Sequence, residues 1–404
     1  MKHALSEAAL PMGFRFSATA CGLKKTGALD LALLSSDVPA SAAAVFTKNL
    51  VVAAPVTVSK ANLIASKGRM RGVIVNAGNA NCATGDAGYA ASTITVEETA
   101  RRLRCHPREL FVCSTGVIGV PLPVEKILRA LPGIVQNRRS SARSFAELSL
   151  AICTTDTRPK TASSSFKMAG KRVHLVGCAK GAGMIHPNMA TTLAFVVTDA
   201  AISPSLLQKT LREVTQRTFN SISIDGDTST NDTLLVLANG ESGAPAIQAN
   251  SSAHRAFRKA LEEVCHSLAL QIVADGEGAQ RVIEIVVRGA KTEAAARQIA
   301  QTIATSPLVK TAFAGGDPNW GRIFAAAGRS GVKFNPDLVD IQMAGIPVLR
   351  RGQPLDFNER KASNRLMEKH VHIGMDLHAG RAAASYWTCD FTAEYVRINA
   401  SYRT

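Results

Sequence analysis

Two adjacent threonines, Thr191 and Thr192, separate a glycine-rich segment from an apolar run in KGAGMIHPNMATTLAFVVTDA (180–200). A threonine hydroxyl is a weak nucleophile until a base removes its proton, and one such base is the α-amine of an N-terminal threonine. That amine has a pKa of ~7.7–8.0, which suits proton transfer at neutral pH. Thr191 would gain the amine if its own hydroxyl attacked the Ala190 carbonyl and the resulting ester were hydrolysed. The spacing therefore allows a self-processed nucleophile, although spacing alone favours two threonines that pair at a strand start.

Other polar, glycine-rich turns adjoin strand-like runs and are further candidates for a site. The turn DGDTSTND (225–232) has the aspartate spacing of a calcium loop, but it lacks the glutamate that an EF-hand requires at its twelfth position. The sequence contains no GxxxxGK[ST] phosphate loop and no GxSxG elbow. None of these turns by itself indicates a particular function, and we expect the turn GGDPNWGR (315–322) to be structural. The remaining turns lie at 76–85, 114–119, 154–157, 275–281 and 315–322.

The bulk composition limits the classes of protein to which this chain can belong. Its 404 residues predict two domains or one large two-layered unit, and 46% apolar with 5% aromatic residues predicts an aliphatic core. No apolar run approaches the ~18 residues of a membrane span, and the N-terminus does not resemble a secretion signal. The net charge of +16 comes from dispersed basic clusters without interleaved aromatic residues, which disfavours nucleic-acid binding. A solvated basic surface is the better interpretation, and its charge would also favour anionic substrates at long range.

The eight cysteines form no CxxC pair, and the nine histidines show no zinc-ligand spacing. We therefore expect buried free thiols in a reducing compartment, a cytoplasmic location, and neither a metal nor a cofactor.

Periodicity predicts how the candidate turns are positioned. Helices are predicted after Ser203-Pro204, along 257–268 and after Thr292, where apolar residues recur every three or four positions. Strand-like runs alternate with these helices, which predicts a layered α/β or α+β architecture without long linkers. The strand-like runs include GALDLALLSSD, AAAVFTKN, APVTVSK (54–60), GVIVNAGNANCATG, ELFVCSTGVIGVPLP, DTLLVLANG, RVIEIVVRG and LVKTAFAGG (308–316).

The segment at 180–200 strongly resembles the self-cleavage region of the ornithine acetyltransferase family, also called bifunctional glutamate N-acetyltransferases. The resemblance extends over essentially the whole chain, because eight further segments match in the family's order. They are LALLSSDVPASAAAVFTKN, VIVNAGNANCATG, VCSTGVIG, TTDT, DGDTSTNDT, DGEGA, DPNWGRIFAAAGRSG and CDFTAEYVRINASYRT.

The resemblance implies a fold and a chain organisation. It implies a sandwich of sheets flanked by helices, of the type built around an N-terminal threonine nucleophile, with a smaller second lobe. Cleavage between Ala190 and Thr191 would give an alpha chain (1–190) and a beta chain (191–404) that form one intertwined unit. The expected assembly is a heterotetramer of two alpha and two beta chains.

The resemblance also assigns roles to individual residues. Thr191 matches the nucleophile, while Thr115 and Gly116 match the pair that forms the oxyanion hole. Two departures stand out: Thr192 replaces the family's usual methionine, and GAQR at 278–281 replaces a more common GATK. The positions that match substrate-binding residues are Thr154, Lys180, Thr191, Glu277, Asn399 and Thr404.

The implied reaction is a double displacement that needs no cofactor. Thr191 would take the acetyl group from N-acetylornithine and pass it to glutamate, giving ornithine and N-acetylglutamate in arginine biosynthesis. Some members of the family also accept acetyl-CoA as donor. Two alternatives remain open: an N-terminal-threonine hydrolase or aminopeptidase in which water replaces glutamate, and a basic nucleic-acid-binding protein whose threonines are structural.

Overall fold

The structure, a computed structural model, describes residues 10–186 and 192–401. Ala190, Thr191 and Thr404 lie outside these ranges. The strands are β1 Phe14–Thr19, β2 Leu31–Phe46, β3 Arg69–Asn79, β4 Leu110–Val117, β5 Lys160–Met168, β6 Lys171–Lys180, β7 Leu193–Thr198, β8 Ile222–Ser223, β9 Thr233–Ala238, β10 Val282–Ala290, β11 Asp340–Met343, β12 Ile346–Arg350, β13 Gln353–Pro354, β14 His370–Asp376 and β15 Ala382–Cys389. The helices are α1 Ala54–Ala65, α2 Gly85–Leu103, α3 Val124–Gln136, α4 Ala142–Ala151, α5 Pro204–Arg217, α6 Ser252–Ala274, α7 Glu293–Ala304, α8 Pro307–Gly315, α9 Trp320–Gly328, α10 Glu359–Leu366 and α11 Ala393–Ser401.

Within the described residues, eight strands form the first sheet in the order β4-β3-β2-β9-β7-β6-β5, with β1 paired to β2. The central strands β7 (LAFVVT) and β9 (TLLVLA) are buried at every position, as expected for strands covered on both faces. β2 is 16 residues long, and its pairing with β3 shifts register between Ser35 and Ala40. This irregularity lets one strand pair with β1 and β3 along its first part and with β9 along its last part.

Helices cover both faces of the first sheet. On one face, apolar residues of β2, β7 and β9 pack against α4. On the opposite face, α5 and α6 pack on the strands β6, β7 and β9, while α1, α2 and α3 pack on β3 and β4. The helix α6 also contacts β10 and β15 of the second sheet, so it connects the two parts of the chain.

The second sheet has seven strands in the order β13-β12-β11-β14-β10-β15-β8. Its core contains Ile283, Ile285 and Val287 of β10 packed against α7, α8 and α9. The predicted mixed α/β architecture, with two sheets flanked by helices, is confirmed, and this sheet with its helices forms the smaller lobe.

Helix starts explain which local predictions were right. Ser203 and Thr292 accept hydrogen bonds from the backbone amides of Leu206 and Ala295, so both predicted starts are confirmed. Two predicted strand-like runs, APVTVSK and LVKTAFAGG, lie instead in α1 and α8. In each helix a proline, Pro55 or Pro307, lies in the first turn, where its fixed φ favours helix and its missing N–H costs nothing.

None of the helices in the described ranges combines the length and the apolarity needed to cross a bilayer.

Candidate active site

One cleft that is open to solvent contains every predicted site residue that the structure describes. The cleft lies where β4, β6 and α6 end and where β7 begins. Thr192, the residue after the predicted nucleophile, also lines it. The predicted site residues in the cleft are Thr115, Gly116, Thr154, Lys180, Glu277 and Asn399. The remaining two, Thr191 and Thr404, lie outside the described ranges.

Thr115 and Gly116 are placed by the parallel pairing of β3 with β4. Gly116 pairs with Gly78 and has φ 132°, a conformation that favours glycine. A Cβ at Gly116 would lie 2.3 Å from the Gly78 carbonyl carbon, so the two backbones approach too closely for any side chain. Asn231 donates to the carbonyls of Ala80 (2.6 Å) and Ser114 (2.9 Å), which holds both strand ends. Thr115 and Gly116 therefore line the cleft together, at a point where the close approach of the two strands requires glycine at 116.

Lys180 and Thr154 form a second group in the cleft. The ammonium of Lys180, at the end of β6, lies 3.4 Å from the Thr154 hydroxyl oxygen. The carboxylate of Asp156 accepts the backbone N–H groups of Thr154 (2.9 Å) and Gly181 (2.6 Å). One buried carboxylate thus connects the two chain segments that carry these side chains.

Asp156 belongs to a buried ion-pair chain behind the cleft. The ammonium of Lys160 lies 2.5 Å from Asp156 Oδ1 and 2.6 Å from Asp275 Oδ2, and its side chain is 1% exposed. Burial alone would raise the pKa of Asp156, but the charges of Lys160 and Lys180 and the hydrogen bonds to its carboxylate lower it below its usual value. Asp156 is therefore ionised at neutral pH. The ion-pair chain ends at Asp275, which lies in the same turn as Glu277.

Glu277 and Asn399 form the third group. Asn399, on α11, donates to Glu277 Oε2 at 2.9 Å, and Glu277 is 8% exposed. Gly183 makes room for this carboxylate, because a Cβ there would lie 2.4 Å from Glu277 Oε2. Gly278 (φ 72°) lets α11 pack directly on the turn, since a Cβ there would lie 2.5 Å from the Tyr395 nitrogen. Two glycines therefore set the position of one acidic side chain and its amide partner.

The predictions from sequence missed the contribution of Asp225, in the turn that resembles a calcium loop. Its carboxylate accepts the backbone N–H groups of Met184 (2.5 Å) and Ile185 (2.8 Å), and the Tyr395 hydroxyl lies 3.4 Å away. Burial raises the pKa of Asp225 above its usual value, because the opposing effect of its hydrogen bonds to backbone amides is smaller. Thr228 donates to the His186 carbonyl (2.9 Å). The turn therefore holds the chain that leads to residue 187, and its carboxylate binds backbone amides.

The Thr192 side chain forms a hydrogen bond with the backbone of the neighbouring strand. Its hydroxyl donates to the Lys180 carbonyl, and the residue is 3% exposed. The pairing role that the sequence left open for the two threonines is thus observed for the second of them.

The cysteines of this chain are buried or half-buried, and Cys153 directly precedes the cleft residue Thr154. Among the described residues, no group of three or more His, Cys, Asp or Glu side chains is arranged to bind a metal. The eight cysteines are free thiols, as predicted, and six of them are buried. Burial raises the pKa of Cys153, which precedes Thr154, to about 12, so it remains a thiol at neutral pH.

Comparisons with known proteins find relatives over nearly the whole chain. A family model described as the ArgJ family matches residues 15–404. An arginine biosynthesis bifunctional protein ArgJ from Thermus thermophilus is 48% identical, over 98% of this chain and 99% of its own. The protein of that name from Dehalococcoides mccartyi is 46% identical, over 98% and 96% of the two chains. A crystal structure of ArgJ from Bacillus halodurans, 44% identical, covers 52% of this chain and 98% of its own, with a TM-score of 0.51. The chain therefore belongs to the ArgJ family, the ornithine acetyltransferases of arginine biosynthesis that its segments resemble.

Proposed function

We propose that this chain transfers the acetyl group of N-acetylornithine to glutamate through an acetyl ester on Thr191. The observation that carries the proposal is the convergence of all six described site residues on one cleft beside Thr192. Residues as far apart in sequence as Thr115 and Asn399 line it together. Such convergence is expected of a reaction centre and is not required by the packing of any single element.

The proposed chemistry assigns each group a step. The Thr191 amine takes the proton from its own hydroxyl, whose oxygen attacks the acetyl carbonyl. The Thr115 hydroxyl and the Gly116 amide donate to the oxyanion that develops. Ornithine leaves with the proton held by the amine. The glutamate amine then attacks the acetyl ester and gives a proton to the Thr191 amine, which returns it to the Thr191 oxygen as the C–O bond breaks. The acetyl group and one proton are thereby conserved across the two half-reactions.

The remaining side chains suit α-amino acid substrates. Lys180 supplies a cation for the substrate α-carboxylate, with Thr154 beside it at 3.4 Å. Glu277 supplies an anion for a substrate ammonium or relays a proton, and Asn399 orients it at 2.9 Å. The family relationship supports substrates of arginine biosynthesis, since the relatives carry that name. Thr404, at the C-terminus, completes the proposed substrate site.

Processing at Ala190–Thr191 is part of the same proposal. The solved chain from Bacillus halodurans matches almost its whole length to only 52% of this chain. A chain of about half the length is what cleavage before residue 191 would produce from a precursor of 404 residues. This supports the division into an alpha chain (1–190) and a beta chain (191–404). We also propose a heterotetramer of two alpha and two beta chains, a cytoplasmic location, and acetyl-CoA as an additional donor.

Isotope transfer tests the function directly. We expect purified protein, incubated with N-acetylornithine carrying a ¹³C-labelled acetyl group and unlabelled glutamate, to yield labelled N-acetylglutamate. Without glutamate, the fragment that begins at Thr191 should gain one acetyl group by mass spectrometry. Release of labelled acetate in place of N-acetylglutamate would make the protein a hydrolase and contradict the proposal.

Gly183→Ala should weaken substrate binding. The new methyl group would lie 2.4 Å from Glu277 Oε2 and must displace that carboxylate. We expect the KM for N-acetylornithine to rise about tenfold or more, the loss expected when a charge-assisted contact is disrupted. Steady-state kinetics measure this effect. Gly133→Ala is the matched control, because it lies in α3 with no atom within 4 Å of its added Cβ and should leave KM unchanged.

A further inference from the structure

The Lys180–Gly181 peptide group is contacted on both of its polar atoms by residues that the proposed mechanism does not use. Its carbonyl accepts a hydrogen bond from the Thr192 hydroxyl. Its N–H donates to Asp156 Oδ1 at 2.6 Å. The contacts come from opposite directions along the chain, since Asp156 precedes β5 and Thr192 precedes β7.

This peptide lies between two parts of the proposed site. Its first residue carries the ammonium that lies 3.4 Å from Thr154. The residue that binds its carbonyl, Thr192, directly follows the proposed nucleophile in the chain. Loss of either hydrogen bond would therefore release the chain at Lys180 and change the anchor next to residue 191.

The backbone conformation at Gly181 does not by itself restrain the orientation of this peptide. Gly181 has φ 154°, and a Cβ there would lie 2.8 Å from Ile185 Cδ1. Glycine is thus required for close packing, yet it has more conformational freedom than any other residue. Both groups that restrain it are themselves fixed. The side chain of Asp156 is fully buried and paired with Lys160, while Thr192 is 3% exposed.

We propose that Thr192 and Asp156 are positioning residues that hold the Lys180–Gly181 peptide from its two sides, and so fix Lys180 relative to the nucleophile. The inference rests on the proposed acetyl transfer for its kinetic consequence but not for its structural one. A side chain at position 192 can donate this hydrogen bond only if it carries a hydroxyl group. Methionine, the family's usual residue there, could not donate it. The second threonine of the ATT sequence thus has a role distinct from that of the first.

Thr192→Val and Thr192→Ser test the hydroxyl with little change in volume. Valine should lower kcat/KM for N-acetylornithine about tenfold, as expected when a hydrogen bond to a buried carbonyl is lost, whereas serine should stay within about twofold of wild type. Equal kcat/KM in the valine variant and the wild type would overturn the proposal.

Asp156→Asn tests the other side of the peptide and completes a double-mutant cycle. Because both residues act on one peptide, the loss in the double variant should be clearly smaller than the product of the two single losses. Strictly multiplicative losses would mean that the residues act independently. Asp199→Asn is the control, since this buried carboxylate also accepts backbone N–H groups, from Met12 and His174, but lies at the far end of β7. If Asp156→Asn does not fold, the valine and serine pair still decides the proposal.

Hydrogen exchange separates this inference from the proposed function. The Gly181 amide should exchange faster in Thr192→Val than in wild type or Thr192→Ser, whether or not the protein transfers acetyl groups. Unchanged exchange would contradict the positioning role, while absent acetyl transfer in the wild type would contradict only the proposed function.

Discussion

We expect Thr191→Ala to yield a single uncut polypeptide that transfers no acetyl group. In the proposed mechanism the Thr191 hydroxyl attacks the Ala190 carbonyl, so the variant could not release the α-amine that serves as base. Because the proposed cleavage and the proposed acetyl transfer both use the Thr191 hydroxyl oxygen, neither reaction should be detectable in this variant. Electrophoresis and mass measurement follow the processing, and N-acetylglutamate formation follows the transfer.

Thr191→Ser is the matched control for this prediction. Serine keeps the oxygen and the chain length, so cleavage and acetyl transfer should both persist at a reduced rate. Normal processing in the alanine variant would mean that another bond or another nucleophile is used, and the assignment of Thr191 would be wrong.

We expect Thr115→Ala to lower kcat by ~10²–10³, the effect of removing one donor from an oxyanion hole. In the proposed mechanism this hydroxyl binds charge that exists only in the transition state, so the KM for N-acetylornithine should change by less than about threefold. Steady-state kinetics on processed protein measure both quantities.

Two further substitutions serve as controls for Thr115→Ala. Thr115→Ser keeps a donor and should recover most of kcat, while Thr155→Ala removes a different hydroxyl from the lining of the same cleft and should leave kcat near wild type. An unchanged kcat in Thr115→Ala would remove this residue from the oxyanion hole.

Local pattern predicted most elements but not their arrangement. Apolar spacing and caps located the helices that begin after Ser203 and Thr292, because these signals act within one helical turn. The same reasoning was wrong for α1 and α8, where β-branched residues favoured a strand and a proline in the first turn outweighed them. The sheet order places β2 beside β9 and β7 beside β6, and no local pattern specifies such pairings.

The site shows the same division between local and long-range information. The resemblance named Glu277 and Asn399, but their 2.9 Å contact spans 122 positions and depends on how α11 packs on Gly278. Asp156 and Asp225 were missed, although both stand in segments that the sequence analysis had singled out. Their carboxylates bind backbone amides of the chain around 181–185, a role that residue type alone does not reveal.

The electrostatic surroundings of the cleft were only partly predictable. The sequence gives a net charge of +16 but not where the charges pair, and the buried chain of Asp156, Lys160 and Asp275 depends on contacts between distant segments. Membership of the ArgJ family favours the enzymatic interpretation of this chain over nucleic-acid binding. Nothing in the described structure explains the excess of basic residues.

The intact mass of the purified wild-type protein tests the central claim most directly. We expect two polypeptides, one ending at Ala190 and one beginning at Thr191, whose masses sum to that of the precursor plus one water. A single unbroken chain that still forms N-acetylglutamate would contradict the account, because an internal Thr191 has no free amine to accept its proton.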